Sequence, residues 1–167
     1  ALIKAPVTVD NQVGGGGGDS ATTFRGSHLE QQLTIVNASG LDFVNIEDSD
    51  IAKATGAITT INNGPGGSRV TFTTTDPNVG NTVYGALNIL NGANPIGVPG
   101  LMQLDDFVSF NNTNVWGAVL VNNDVVGGGD TRVAVLDNSM LGSNINTGGP
   151  LLVINGAGSD NFQMDSS

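Results

Sequence analysis

The chain has no cysteine, a single tyrosine, a single tryptophan and only five lysines and arginines in 167 residues. Each shortage excludes something. Without cysteine there is no disulfide frame and no thiolate metal site. Five basic residues against fifteen acidic ones leave a formal charge of −10, which excludes nucleic acid as a partner because phosphate neutralisation needs clustered lysine and arginine. No apolar run reaches the roughly 18 residues of a membrane-spanning helix, so no membrane span is expected. Charged residues make up only 12%, which leaves few of the Glu, Lys and Arg that fill helices.

What is abundant is glycine, 25 residues of it, together with Asn, Asp, Thr and Ser. That composition favours turns and strands, and the expected class is all-β. An apolar fraction of 38% is enough for one domain with a real core. The sequence opens at Ala1 with no charged-then-apolar leader, as a processed end or the edge of a longer protein would.

A short apolar run ending in asparagine recurs along the chain: Leu-Thr-Ile-Val-Asn at residues 33–37, then at 58–62, 87–91, 118–122 and 151–155. Aligned on Asn37, Asn62, Asn91, Asn122 and Asn155, the copies are spaced by 25, 29, 31 and 33 residues. A weaker first copy, residues 7–11, ends at Asn11. A second strand follows each asparagine and carries an alternating apolar pair: Val44 and Ile46, Val70 and Phe72, Val108 and Phe110, Val133 and Val135, Phe162 and Met164. A third, fainter element shows at Val83 and Val115.

A repeat of this length with two or three strands reads as one coil of a parallel β-solenoid. One coil cannot bury its inward side chains; coils stacked about 4.8 Å apart align them into columns. The expected architecture is a single domain over residues 1–167, an all-β parallel β-helix of about five to six coils. Residues 1–31 form an N-terminal coil or cap region, residues 32–167 the repeated coils, and residues 92–106 a protruding loop. Stacked asparagines would form a structural ladder, amide bonded to amide along the axis.

The Ile-Val-Asn, Ile-Thr-Thr-Ile-Asn-Asn and Val-Leu-Val-Asn-Asn copies resemble right-handed parallel β-helix proteins of the pectin-lyase-like type, including autotransporter-passenger-like bacterial surface solenoids. The resemblance covers about residues 30–167. It implies right-handed coiling, an extracellular or cell-surface location and a bacterial origin, and implies nothing specific about activity.

Chemistry-bearing residues are sparse. Glycine-aspartate clusters at residues 14–19, 127–130 and 156–160 match parts of the calcium-binding nonapeptide, which makes Asp19, Asp130 and Asp160 the candidate calcium ligands. Genuine nonapeptide sites come in consecutive repeats, and these are isolated; glycine and aspartate at ordinary solenoid turns are the favoured account of them. No other cofactor is expected. Arg69 and Arg132 each directly precede a second strand. In register they alternate with Phe43 and Phe107 on an outward column, where cation–π contacts and diagonal pairing with Asp42, Asp106 or Asp160 are expected. With Tyr84 and Trp116 as stacking platforms, the same arginines are the candidate glycan contacts of a carbohydrate-active reading. His28, the only histidine, has no serine elbow or second histidine beside it, so a triad is not indicated. Asp105 and Asp106 are adjacent carboxylates, expected at a solvated loop end. The threonines around Thr71 would line an outward row with Asn45, Ser109, Ala134 and Gln163, too irregular to be a repeated hydroxyl array.

No catalytic residue is assigned. The leading expectation is a non-enzymatic extracellular structural solenoid, adhesin-like or fibre-forming through end-to-end stacking. Its partners would be copies of itself or further solenoid coils at the open ends. The alternative is a polysaccharide lyase or glycan-binding module, with glycans as partners.

Overall fold

The computed structural model describes residues 1–12, 18–92, 106–125, 130–142, 149–155 and 159–165. The expected loop at residues 92–106 therefore lies, from residue 93 to 105, outside the described residues. The first coil comprises Leu2–Ile3 (β1), Val7–Asp10 (β2) and Ser20–Arg25 (β3). The second is His28–Leu29 (β4), Leu33–Val36 (β5) and Asp42–Glu47 (β6); the third is Asp50–Ile51 (β7), Ile58–Asn62 (β8) and Ser68–Thr73 (β9). Asn81–Val83 (β10), Ala86–Gly92 (β11) and Asp106–Asn111 (β12) follow, then Thr113–Val115 (β13), Val119–Val125 (β14) and Thr131–Leu136 (β15). Met140–Leu141 (β16), Leu151–Ile154 (β17) and Asp160–Met164 (β18) complete the series.

Every third strand joins the same sheet. The result is three parallel sheets, each six strands deep, running β1 to β16, β2 to β17 and β3 to β18. Together they make an all-β parallel solenoid of about five turns, with no helix among the described residues. The third element, faint in the sequence, is a strand in every coil. It is short, two or three residues, and too few residues alternate in it to leave a periodic trace.

Alternation decides which side chains form the core. In the third sheet, Val44, Val70, Val108 and Val133 stack in one inward column, and Ile46, Phe72, Phe110 and Val135 in the next. All eight are buried. The Phe72 and Phe110 rings stack with centroids 5.1 Å apart and planes 18° from parallel. In the second sheet the inward columns run Leu33, Thr59, Leu87, Val119 and Ile35, Ile61, Ile89, Val121. Each large apolar side chain removed from water contributes about 1.5–3 kcal/mol, so the columns are the main stabilising element.

The bend between the third sheet and the next coil's first sheet has its own sequence rule. Gly26, Asp48, Gly80, Asn112 and Asn138 occupy equivalent places there, and all have positive φ, between 45° and 64°. Left-handed backbone is tolerated by Gly, Asn and Asp and resisted by other residues, so the abundance of these types follows from the bend. At Gly80 the space is closed as well: a Cβ would lie 2.6 Å from the Asn112 carbonyl oxygen. The residue after three of these bends caps the corner. Ser49 Oγ, Asn81 Oδ1 and Ser139 Oγ accept the backbone N–H of Ser27, Ser49 and Thr113 one coil away, at 3.0–3.1 Å. These contacts satisfy backbone groups that the bend removes from the sheets.

Candidate functional site

The asparagine column stands at the corner after the second sheet. Asn11 Nδ2 donates to Asn37 Oδ1 at 2.6 Å, Asn37 to Asn63 at 2.7 Å, and Asn63 to Asn91 at 2.7 Å. The chain of bonds continues from Asn91 to Asn123 at 2.7 Å and from Asn123 to Asn155 at 3.0 Å. Two residues expected in the ladder are not in it. Ile61 pairs with Ile35 and Asn62 with Val36, so Asn62 points to solvent and Asn63 turns inward. Likewise Leu90 pairs with Asn122, and Asn123 takes the ladder position. Where two asparagines are adjacent, aligning on the first slips the register by one residue, which exchanges the two faces of a strand. The same slip sets Ile58 and Ala118, the first residues of the aligned copies at 58–62 and 118–122, level with Leu33 and Leu87, whereas Thr59 and Val119 occupy that column.

A second polar column, unforeseen as such, lies at the start of the third sheet. Ser20, Asp42, Ser68, Asp106, Thr131 and Asp160 stack in register, hydroxyl alternating with carboxylate. Ser20 Oγ, Ser68 Oγ and Thr131 Oγ1 each donate at 2.7 Å to Oδ1 of the aspartate on the following coil. Asp42 and Asp106 are 1% exposed. Burial pushes the Asp42 carboxyl above its ordinary value, against the opposing hydrogen bond from Ser20. Two expectations are corrected here. Asp106 is buried and not at a solvated loop end, and Asp42 and Asp106 point inward, on the opposite side of the sheet from Arg69 and Arg132, so the diagonal pairing with these arginines is not found among the described residues. The alternation of Ser or Thr with Asp one place before each arginine or phenylalanine was the available signal. Asp105 lies outside the described residues.

The outward column is as the register required. Phe43, Arg69, Phe107, Arg132 and Asn161 are neighbours on successive coils. The Arg69 guanidinium lies 4.9 Å from the Phe107 ring centroid and that of Arg132 lies 5.8 Å from it, one ring between two cations. Arg132 also donates to Gln163 Oε1 at 3.3 Å. Asn45, Thr71, Ser109, Ala134 and Gln163 form the neighbouring row, and Ser109 and Ala134 in it are buried.

The candidate calcium aspartates serve coil-to-coil contacts. Asp19 Oδ1 accepts the Leu41 N–H at 3.0 Å, Asp130 Oδ1 the Ser159 N–H at 2.8 Å, and Asp160 Oδ1 the Thr131 hydroxyl. Asp19 and Asp130 stand four coils apart, roughly 19 Å at the usual strand spacing. No group of three or more His, Asp or Glu is placed to hold a metal among the described residues. Most of the glycines flanking these aspartates lie outside the described residues. His28 is exposed, its Nδ1 3.0 Å from Asp50 Oδ2 on the next coil; Arg25 pairs with the buried Glu47 at 2.9 Å.

Tyr84 and Trp116 sit together, away from the arginines. Each directly follows a first-sheet strand, at the corner leading to the second sheet, with ring centroids 4.7 Å apart and planes at 64°. Lys53, which the sequence did not single out, brings its ammonium to 5.7 Å from the Tyr84 centroid. These three line a surface cleft of about 370 Å³ with Thr55 and three glycines. The four candidate glycan contacts are thus divided between two sides of the solenoid, arginines on the third sheet and aromatics at the corner.

No protein-family model matches the chain, and comparison with curated proteins and with solved structures gives no match.

Proposed function

We propose that this chain is a structural solenoid that assembles head to tail, the last coil of one copy stacking on the first coil of the next. The observation that carries this reading is the complementarity of the two end faces. Phe162 and Met164 continue the columns of Val133 and Val135, yet are 46% and 67% exposed where those valines are buried. At the other end, Phe24, Val7, Val9 and Ile3 are only partly covered. Stacked in register, Phe162 and Met164 would meet Thr22 and Phe24, Leu151 and Val153 would meet Val7 and Val9, and Leu141 would meet Ile3.

The polar columns continue in the same sense. Asn155 comes next to Asn11 of the second copy, extending the amide ladder in its donor-to-acceptor direction. Asp160 comes next to Ser20, keeping hydroxyl and carboxylate in alternation. Among the described residues, strands β1, β2 and β3, and β16, β17 and β18, each have a sheet neighbour on one side only, and an open parallel edge accepts a further strand. The contact joins two different faces and repeats along the solenoid axis, a translation that closes no ring and would generate a filament. A surface role outside the cell, of the kind served by right-handed pectin-lyase-like and autotransporter-passenger-like solenoids, is supported by the three-sheet coil and the ladder. The role proposed is non-enzymatic.

Light scattering and electron microscopy of the purified chain test the proposal. Concentration-dependent filaments are expected, promoted by salt that screens the charge of −10, and prevented by Met164→Lys without loss of the fold. A chain that stays monomeric at all concentrations and salt levels, by sedimentation, would overturn it.

A further inference from the structure

The cleft between the first and second sheets has a physical origin in corner length. Coil three takes six residues to pass from β7 to β8, residues 52–57, whereas coil four takes two, residues 84–85, and coil five three, residues 116–118. The long corner overhangs the short ones. Under it the coils pack backbone to backbone: a Cβ on Gly117 would lie 2.6 Å from Ala86 N, and one on Gly85 would collide with the Ala57 carbonyl oxygen. The floor is therefore bare of side chains, and the Tyr84 and Trp116 rings stand on it edge to face, at 64° to one another on successive coils.

We propose that this cleft binds a neutral glycan, with one sugar ring laid against the Trp116 indole, which Tyr84 braces at 64°, and its hydroxyls taken by Lys53 and Thr55. Chemistry selects the ligand. Trp116 is 41% exposed, an unusual place for the chain's single tryptophan, and an indole face suits the C–H face of a pyranose. The walls carry no large aliphatic side chain that would favour a wholly apolar ligand; the rim offers an ammonium and a hydroxyl as donors. A cationic ligand is opposed by Lys53, already seated over the Tyr84 ring. An acidic polysaccharide is opposed by the net charge of −10 and by Asp50 nearby, whose charge, after the larger effect of burial, pushes the Tyr84 phenol above its ordinary value. The cleft is about 370 Å³, at the lower end of the range for small-ligand sites. The site sits on the side of the solenoid and needs neither end face, so it is independent of assembly.

The single tryptophan reports directly on the site. Intrinsic fluorescence of the intact chain is titrated with neutral α- and β-linked hexose oligosaccharides and with an oligouronate. A saturable change with a neutral oligosaccharide is expected, weakened at least about tenfold by Tyr84→Ala and several-fold by Lys53→Ala, with circular dichroism and melting temperature held. Lys53 is exposed, so its variant remains informative if Tyr84→Ala fails to fold. No saturable response to any neutral oligosaccharide, preference for the oligouronate, or unchanged affinity in Lys53→Ala would each overturn the proposal.

Discussion

Asn37 and Asn63 are 26 residues apart in sequence, and the side-chain amide of one donates to the other at 2.7 Å. Both are almost wholly buried. A buried amide is costly unless its donors and acceptor are met, and here each asparagine is met by the ones above and below. The bond is therefore a register device: it is satisfied only when successive coils align at the right residue.

Removing one rung should expose that dependence. Asn63→Ala leaves Asn37 without its acceptor and Asn91 without its donor, and should cost about 2–3 kcal/mol. Asn62→Ala, on the exposed neighbour, should change stability by less than about 0.5 kcal/mol. Urea unfolding of the two variants checks the pair; equal losses would place the wrong asparagine in the ladder.

Thr59 interrupts an otherwise aliphatic column between Leu33 and Leu87, fully buried and with no hydrogen-bond partner for its hydroxyl. Thr59→Val keeps the shape and removes the stranded group. A gain of about 1 kcal/mol is expected, read as a higher urea midpoint with an unchanged slope.

Phe110→Ala should be among the most damaging single changes. The ring is fully buried and stacked on Phe72, and its loss leaves a cavity in the middle of the column, costing about 3–5 kcal/mol. Thermal unfolding would show this as a large fall in melting temperature; a small one would mean that neighbouring coils close the gap.

Two aspartates should pull the pH dependence of stability in opposite directions. Burial raises the folded-state pKa of Asp42 above its ordinary 3.8. Its contribution is thus fully present below that value and is lost as pH rises through the raised one. Hydrogen bonds from the Thr74 and Thr75 hydroxyls lower the pKa of Asp48. Its contribution is present above 3.8 and is lost as pH falls through the lowered one. Asp42→Asn should therefore remove a decline on the alkaline side of 3.8, and Asp48→Asn a decline on the acid side, in urea midpoints measured across the carboxylate range. Asn at residue 48 keeps the left-handed backbone tolerated, so the second variant removes the charge and one of the two accepting oxygens without straining the bend. The reverse pattern would mean that the Ser20 hydrogen bond outweighs burial at Asp42.

The all-β class, the solenoid, the inward apolar pairs and the outward Phe43, Arg69, Phe107, Arg132 column were all legible from the chain. Alternation has a period of two and the bends demand Gly, Asn or Asp; both are local requirements, written where they act. The buried role of Asp42 and Asp106 was half legible. Their place beside the arginines could be counted, but whether a charge faces in or out depends on which neighbour the strand pairs with.

What the sequence by itself determined is thus the coil: strand, bend, strand, with an asparagine at one corner and left-handed residues at another. What only the tertiary structure decided is register and the meeting of distant corners. Asn63 instead of Asn62 is chosen by pairing with Asn37 and Asn91, because a one-residue slip would turn a whole strand's side chains to the wrong face. Lys53, Tyr84 and Trp116 share a cleft because a six-residue corner overhangs two shorter ones, a consequence of stacking that no single coil contains.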